Sequence, residues 1–156
     1  MSNEQMQVAN LIIQTIISVA MVATFLVYYF QLRAMRSASA AQNILSLVTF
    51  LQAADVRIAR GVVRKGLVNK PMSEWTADEV FHASLVCSSY DVAAILIRKG
   101  LVESETFLDN WGPSIEHCFD VLREYIQEMQ KPENSGPNYW DDFVWLHEQV
   151  RCRKKG

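Results

Sequence analysis

The side chains of this sequence that could do chemistry are three histidines, three cysteines, a few acidic pairs and a stripe of arginines. His82, His117 and His147 each lack a second donor at the HxxxH or HxxE spacing that sets two metal ligands on one helix face. Glu116 directly precedes His117, so on a helix the two diverge. Cys87, Cys118 and Cys152 are widely spaced, with no CxxC pair. The first two lie within apolar helical patterns and read as small buried hydrophobes, while Cys152, between Arg151 and Arg153, is a lone tail cysteine that reads as incidental rather than catalytic. Asp78-Glu79 and Asp141-Asp142 fall in the first turns of expected helices, where the helix dipole stabilises negative charge without any catalytic role. There is no GxSxG and no glycine-rich phosphate loop. These absences predict a protein with no catalytic residue, no metal and no cofactor, hence not an enzyme.

The arginines are the better candidates for recognition. Arg57, Arg60 and Arg64 recur at i, i+3 and i+7, a basic stripe on one helix face. Such a stripe suits anionic lipid headgroups, each charge near the surface contributing about 1 kcal/mol, or a protein partner. The competing expectation is pairing within the chain, with Asp91, Glu105 or Asp109. The formal net charge is -2 and no aromatic-interleaved basic motif accompanies the stripe, so nucleic acid is not an expected partner.

What positions these residues begins with a stretch of a different kind. Residues 5 to 32 carry no charged side chain, and all 15 Lys and Arg follow position 32. Residues 11–32, "LIIQTIISVAMVATFLVYYFQL", make a helix of about 33 Å, enough to cross a hydrocarbon core roughly 30 Å thick. Tyr28 and Tyr29 suit the headgroup level, Arg33 and Arg36 follow, and the opening residues contain only Glu4 as a charged side chain. The Lys/Arg asymmetry predicts a single span in the cell's inner membrane, with the N-terminus outside and the rest of the chain cytoplasmic. A signal peptide would want a basic start and a shorter apolar core, although "SASAA" at 37–41 resembles a cleavage site. A core helix of a soluble protein is the other alternative, but nothing obliges such a helix to stay uncharged on every face. Asn3, Gln7, Asn10, Gln14 and Ser18 form a polar stripe entering the outer leaflet. Asn10, Gln14 and Ser18 are the candidate interface with a second copy or another membrane protein.

The expected organisation is therefore residues 1–36 as N-terminal segment and span, and residues 37–156 as a cytoplasmic helical domain. Beyond Arg36 neither Gly nor Pro stops the helix, and it either continues or bends near the serines. Asp55 is the expected N-cap of "VRIARGVVRK". Thr76 with Glu79 has the capping-box spacing and opens a helix to Lys99. Ser104 starts another, which Gly112-Pro113 interrupts or kinks, and a last helix begins at Tyr139. No stretch alternates at period two, so the fold class is all-α: one apolar N-terminal helix, then an antiparallel bundle of four or five helices.

The pentapeptide "RKGLV" occurs at 64–68 and again at 98–102. Each copy follows an apolar helix, and Arg-Lys in a last turn with Gly just beyond is a C-terminal cap, so Gly66 and Gly100 are expected to close their helices in the left-handed conformation. A Trp and a Tyr follow each copy at similar offsets, which hints at duplication. The spacing is near that of tetratricopeptide helix pairs, but the rest of that signature is missing.

The N-terminal span, the early helix with Arg57 and Arg60, "YDVAAILIRKGLV", "FLDNWG" and "YWDDF" together resemble an uncharacterised bacterial family, domain of unknown function four-seven-six-zero. The residues carrying the likeness include Tyr90, Asp91, Trp111, Tyr139 and Trp140. The resemblance implies a membrane-anchored helical protein and transfers no catalytic residue. Two functions are carried forward: an accessory subunit or scaffold acting through a protein partner or a second copy, and a membrane-tethered sensor or effector that binds a small ligand between helices.

Overall fold

The structure is a computed structural model that describes residues 3–154. Lys155 of the basic tail lies outside the described residues, as do the side chains of Asn3, Glu4 and Ser37. Five helices account for the fold, with no strand among the described residues: α1 Asn3–Leu51, α2 Ala54–Gly66, α3 Ala77–Arg98, α4 Ser104–Met129 and α5 Asp141–Arg153. A short 3-10 turn, Met72–Glu74, separates α2 from α3. The chain divides into two compact units at Ala41–Gln42, and α1 contributes to both.

In the first unit, the apolar side chains of α1 have nothing to pack against. Leu11, Ile16, Phe25 and Phe30 are all more than 60% exposed, and they point in different directions around the helix. Its hydroxyls turn inward instead: Thr15, Ser18 and Thr24 donate to Leu11, Gln14 and Ala20 carbonyls at 2.8–2.9 Å, four residues back. That pattern satisfies a hydroxyl without water.

In the second unit, α3 is the central helix, packed against α2, α4 and α5. It too is long and apolar enough to cross a membrane. Here the apolar surface is used within the protein, since Ala83, Val86, Cys87, Tyr90, Ala93, Ala94 and Ile97 are buried in the core. The helix opens as expected: Thr76 Oγ1 accepts from the Glu79 N–H at 3.3 Å, and the Glu79 carboxylate accepts from the Thr76 N–H at 2.7 Å. Lys70 Nζ joins the cap at 2.7 Å, and its donation holds the Glu79 carboxyl below its ordinary range.

Three boundaries differ from the sequence expectation, each for a local reason. Ala53, not Asp55, is the N-cap of α2, because Leu51 and Val56 are both drawn into the core and the turn falls between them. Asp55 stays in the first turn, where its carboxylate accepts the Val56 N–H at 2.9 Å and meets the positive helix end. Gly112-Pro113 does not divide α4, which runs through both residues. Pro113 denies the Asp109 carbonyl its i+4 donor, while Gly112 is buried with Val150 Cγ1 3.6 Å from where a Cβ would stand. Finally, α5 begins at Asp141, after a left-handed Trp140 (φ 56°). Burial of the indole and its N–H donation to Ser88 Oγ at 3.2 Å hold that strained backbone in place.

The two copies of RKGLV do not behave alike. Gly100 takes φ 68°, and the Leu101 N–H reaches the Leu96 carbonyl at 3.0 Å while the Gly100 N–H reaches Ile97 at 2.9 Å, the two bonds of a Schellman cap. Gly66 is instead the last residue of α2, and the reversal comes three residues later at Asn69 (φ 64°). The Leu67 N–H bonds the Val62 carbonyl at 3.2 Å, and buried Leu67 fixes the exit. The same five letters therefore predict opposite responses. Gly100→Ala should destabilise the full chain by about 1–2 kcal/mol, the penalty of a left-handed Cβ. Gly66→Ala, helical and with only an ordinary 3.8 Å contact to Val62, should stabilise it by roughly 0.5–1 kcal/mol. Chemical denaturation of the two variants in detergent checks the sign.

Candidate functional site: a basic cavity against Trp111

The core row of α2 is Val56, Ala59, Arg60 and Val63, so an arginine occupies a position that the helix turns inward. Arg60 is 8% exposed. Its neighbours in the sequence stripe face elsewhere: Arg57 and Arg64 are exposed, so the three do not form one continuous outward surface. The Arg60 guanidinium lies over the Trp111 ring at 4.7 Å, an arrangement in which the ring's negative face offsets part of the lost hydration. Its Nη1 is buried without a hydrogen-bond acceptor.

None of the expected acidic partners reaches the stripe. Asp91 accepts the Phe143 N–H at 3.0 Å, and Asp109 and Glu105 pair with Arg153 at 2.8 and 3.5 Å. The remaining ion pairs join Lys70 to Glu79, His82 to Asp78, Arg98 to Asp142, Arg123 to Asp120, Lys131 to Glu128 and Lys154 to Glu116. Among the described residues, Arg57, Arg60 and Arg64 have no carboxylate partner.

Arg60 and Arg64 line a cavity of about 580 Å³. The end of α1 supplies Ile44, Val48 and Gln52, and α4 supplies Thr106, Phe107, Asn110, Trp111 and Ser114. These are helical spacings, so one face of each helix builds one wall. No Asp or Glu is in the lining. The polar groups of α4 are partly engaged: Asn110 Nδ2 donates to the Thr106 carbonyl at 2.8 Å, Thr106 Oγ1 donates to Glu103 at 2.7 Å, and Ser114 Oγ shares a 2.8 Å hydrogen bond with Tyr90 OH. A second cavity of about 440 Å³, lined largely by basic side chains, shares Arg60 and Arg64 and adds Arg57, Gly61, Lys65 and His117.

Behind the cavity, Tyr90 is fully buried and stacked on Phe143 at 5.2 Å. Burial pushes its phenol well above the ordinary range, against a smaller opposing pull from the Ser114 hydroxyl and from the charge and hydrogen bonding of Arg60. Cys118 and Cys87 are buried, and burial raises both thiols, Cys118 to about 11, so neither is a thiolate at neutral pH. Cys152 is exposed.

The other residues of the sequence likeness serve the α3–α5 junction. Asp91 caps the N-terminus of α5 from α3 through the Phe143 N–H, and burial nevertheless raises its carboxyl. Trp140 is buried between Tyr125 at 5.5 Å and Tyr139 at 4.3 Å. Arg60 was singled out by the sequence as a surface cation, and Thr106, Asn110 and Ser114 were not singled out at all. Their signal was the recurrence of polar and aromatic residues at 106, 107, 110, 111 and 114, hidden by the expectation of a break at Gly112-Pro113.

The histidines do not converge. His82 lies 3.4 Å from Asp78, His117 is exposed with Nε2 3.4 Å from the Arg64 carbonyl, and His147 is 4% exposed, stacked on Phe119 at 3.9 Å. Among the described residues no group of three or more His, Cys, Asp or Glu is placed to hold a metal ion.

With a long apolar helix followed by an all-α bundle, the architecture is defined, and sequence comparison supplies the family. Residues 15–150 match the profile described as a domain of unknown function (DUF4760), and the chain belongs to that family. No curated protein and no solved structure matches it.

His147 gives the bundle a pH response. Burial lowers its pKa, Arg151 and Arg123 lower it further, and Asp120 and Glu116 oppose them. The unfolded chain therefore binds the proton more readily, and stability present near neutral pH should be lost as pH falls through the ordinary histidine value of about 6.5. Denaturation midpoints at pH 7.5 and about 5.5 should differ in the wild type, and the difference should shrink in His147→Gln.

Proposed function

We propose that the chain is a single-pass bacterial inner-membrane protein, N-terminus outside, whose cytoplasmic helical bundle is a non-catalytic binding module. The observation that carries the anchor is the first unit of α1: uncharged from residue 5 to 32, with large apolar side chains exposed in different directions around the helix and the Thr15, Ser18 and Thr24 hydroxyls satisfied by its own backbone. Water is a poor solvent for such a surface and hydrocarbon a good one. α3 meets the same length and composition test, but its apolar face is taken up by the core, which favours α1 as the segment in lipid.

For what the module binds, the geometry favours a small ligand held between helices. A cavity of about 580 Å³ lies in the ordinary range for ligand sites and carries an unpartnered buried cation. The accessory-subunit reading rests on Asn10, Gln14 and Ser18, all exposed along α1. Ser18 already donates to Gln14 within the helix, so Asn10 and Gln14 are left as the side chains that would seek a partner helix.

Cys152 offers a direct test of placement, being the one exposed cysteine of the three. The protein should stay in the membrane pellet after alkaline carbonate extraction, and a membrane-impermeant maleimide should label Cys152 only after the cells are broken. Recovery of the uncleaved chain in a detergent-free supernatant would contradict the anchor, and labelling in intact spheroplasts would contradict the orientation. Native mass spectrometry of the full chain in mild detergent should show a monomer carrying a small added mass, whereas a stoichiometric protein partner would favour the scaffold.

A further inference from the structure

We infer that the cavity beside Trp111 is a binding site for an oxyanion, a phosphate ester or carboxylate, that carries a short apolar body. This rests on the ligand-binding reading and names the chemistry of its ligand.

Arg60 is the residue that would hold the anion. A guanidinium offers five N–H donors in a planar fork that matches carboxylate and phosphate oxygens two at a time. Here it is more than nine-tenths buried, its Nη1 has no acceptor, and no carboxylate of the described chain pairs with it. Removing a charge from water without a partner is strongly unfavourable, and a cation–π contact of about 2 kcal/mol offsets only part of that. The sequence has enough acids to supply a partner, since it holds 17 Asp and Glu. The three expected to pair with the stripe are engaged elsewhere: Asp91 with a helix N-terminus, Asp109 and Glu105 with Arg153. The arginine is thus held buried against Trp111 with its Nη1 lacking any acceptor within the described chain, at the lining of a cavity that an anion from outside the chain could enter.

Two further observations give the ligand its shape. Arg64 lines both this cavity and the basic one next to it, which adds a second positive charge to the lining beside Arg60. The lining also has apolar side chains, Ile44 and Val48 from the end of α1 and Phe107 stacked beside Trp111. The cavity is larger than an inorganic phosphate needs, which leaves room for an alkyl or aryl group against these apolar side chains. Such a ligand could be the headgroup end of an anionic lipid or a soluble metabolite, since both present the same oxyanion and apolar body.

The test uses the full chain in phosphatidylcholine nanodiscs, titrated separately with hexyl phosphate, hexanoate and the uncharged hexanol, with melting temperature and calorimetry as readouts. Hexyl phosphate or hexanoate should raise the melting temperature by roughly 5–10 °C at about a hundred times Kd, and hexanol should not. Arg60→Met should weaken anion binding by roughly 30-fold or more while the ligand-free variant melts no lower than wild type, because a buried unpaired charge has been removed. A purely structural arginine would do the reverse, lowering the melting temperature and leaving the anion response intact. Arg64→Gln, at an exposed position, should fold normally and weaken binding several-fold, so the site remains testable if Arg60→Met does not fold. Discs made with phosphatidylglycerol distinguish the source: prior stabilisation with a blunted response to hexyl phosphate identifies a lipid headgroup, and an unchanged response identifies a soluble anion. Hexanol binding as well as the anions would overturn the oxyanion assignment and leave the ligand-binding reading standing. Binding by none of the three probes would overturn both.

Discussion

The second unit is organised around one unfavourable placement, an arginine on the inward face of α2. Val56, Ala59 and Val63 turn the helix so that Arg60 must enter the interior, and Trp111 of α4 receives it face-on. A buried cation with a free nitrogen is unfavourable for folding, and a hydrophobic side chain of the same length would pack there without that penalty. The surrounding residues do not relieve it with a carboxylate. They build instead a cavity with apolar lining side chains, a tyrosine–serine pair and a second arginine at its edge. Stability given up at this charge is offset by aromatic packing in the same unit, where Tyr90 stacks on Phe143, Phe143 meets Phe119 edge-on, and Phe119 stacks on His147.

Two kinds of apolar helix occur in this chain, and composition alone does not separate them. α1 and α3 both have the length and hydropathy of a membrane span. What differs is where their apolar faces go. Ala83, Val86, Cys87, Ala93 and Ala94 are small enough to let α2, α4 and α5 approach α3 closely, and its capping box anchors one end. The large side chains of α1, among them Phe25, Tyr28, Tyr29 and Phe30, meet no other part of the first unit. Lipid would supply the missing contacts, which is why the proposed placement follows from packing rather than from hydropathy by itself.

Much of the fold was legible in the sequence because its signals are local. The Thr76–Glu79 box, the Gly100 cap and the 3.6-residue periodicity of α2 to α5 are decided within a few residues of themselves. Gly66 and Asp55 were misplaced because their turns are set by buried Leu67, Leu51 and Val56, which act from the core. The site was the least legible part. Arg60 read as one member of a surface stripe, although its place four residues after Val56 and three before Val63 sets it on the apolar face, and that conflict was the available signal. Pro113 concealed the rest: a helix expected to break there cannot present Phe107, Asn110, Trp111 and Ser114 on one wall, whereas the helix that tolerates it does.

The proposed site stands on Arg60, a lining residue of the cavity whose Nη1 has no acceptor in the described chain. Crystals of the full chain grown with selenate, a tetrahedral oxyanion with an anomalous signal, would locate the preferred anion position directly. The account predicts a selenium peak in the cavity with an oxygen about 2.7–2.9 Å from Arg60 Nη1. A map in which Arg60 Nη1 is bonded to a protein carboxylate, with no selenate in that cavity, would contradict it.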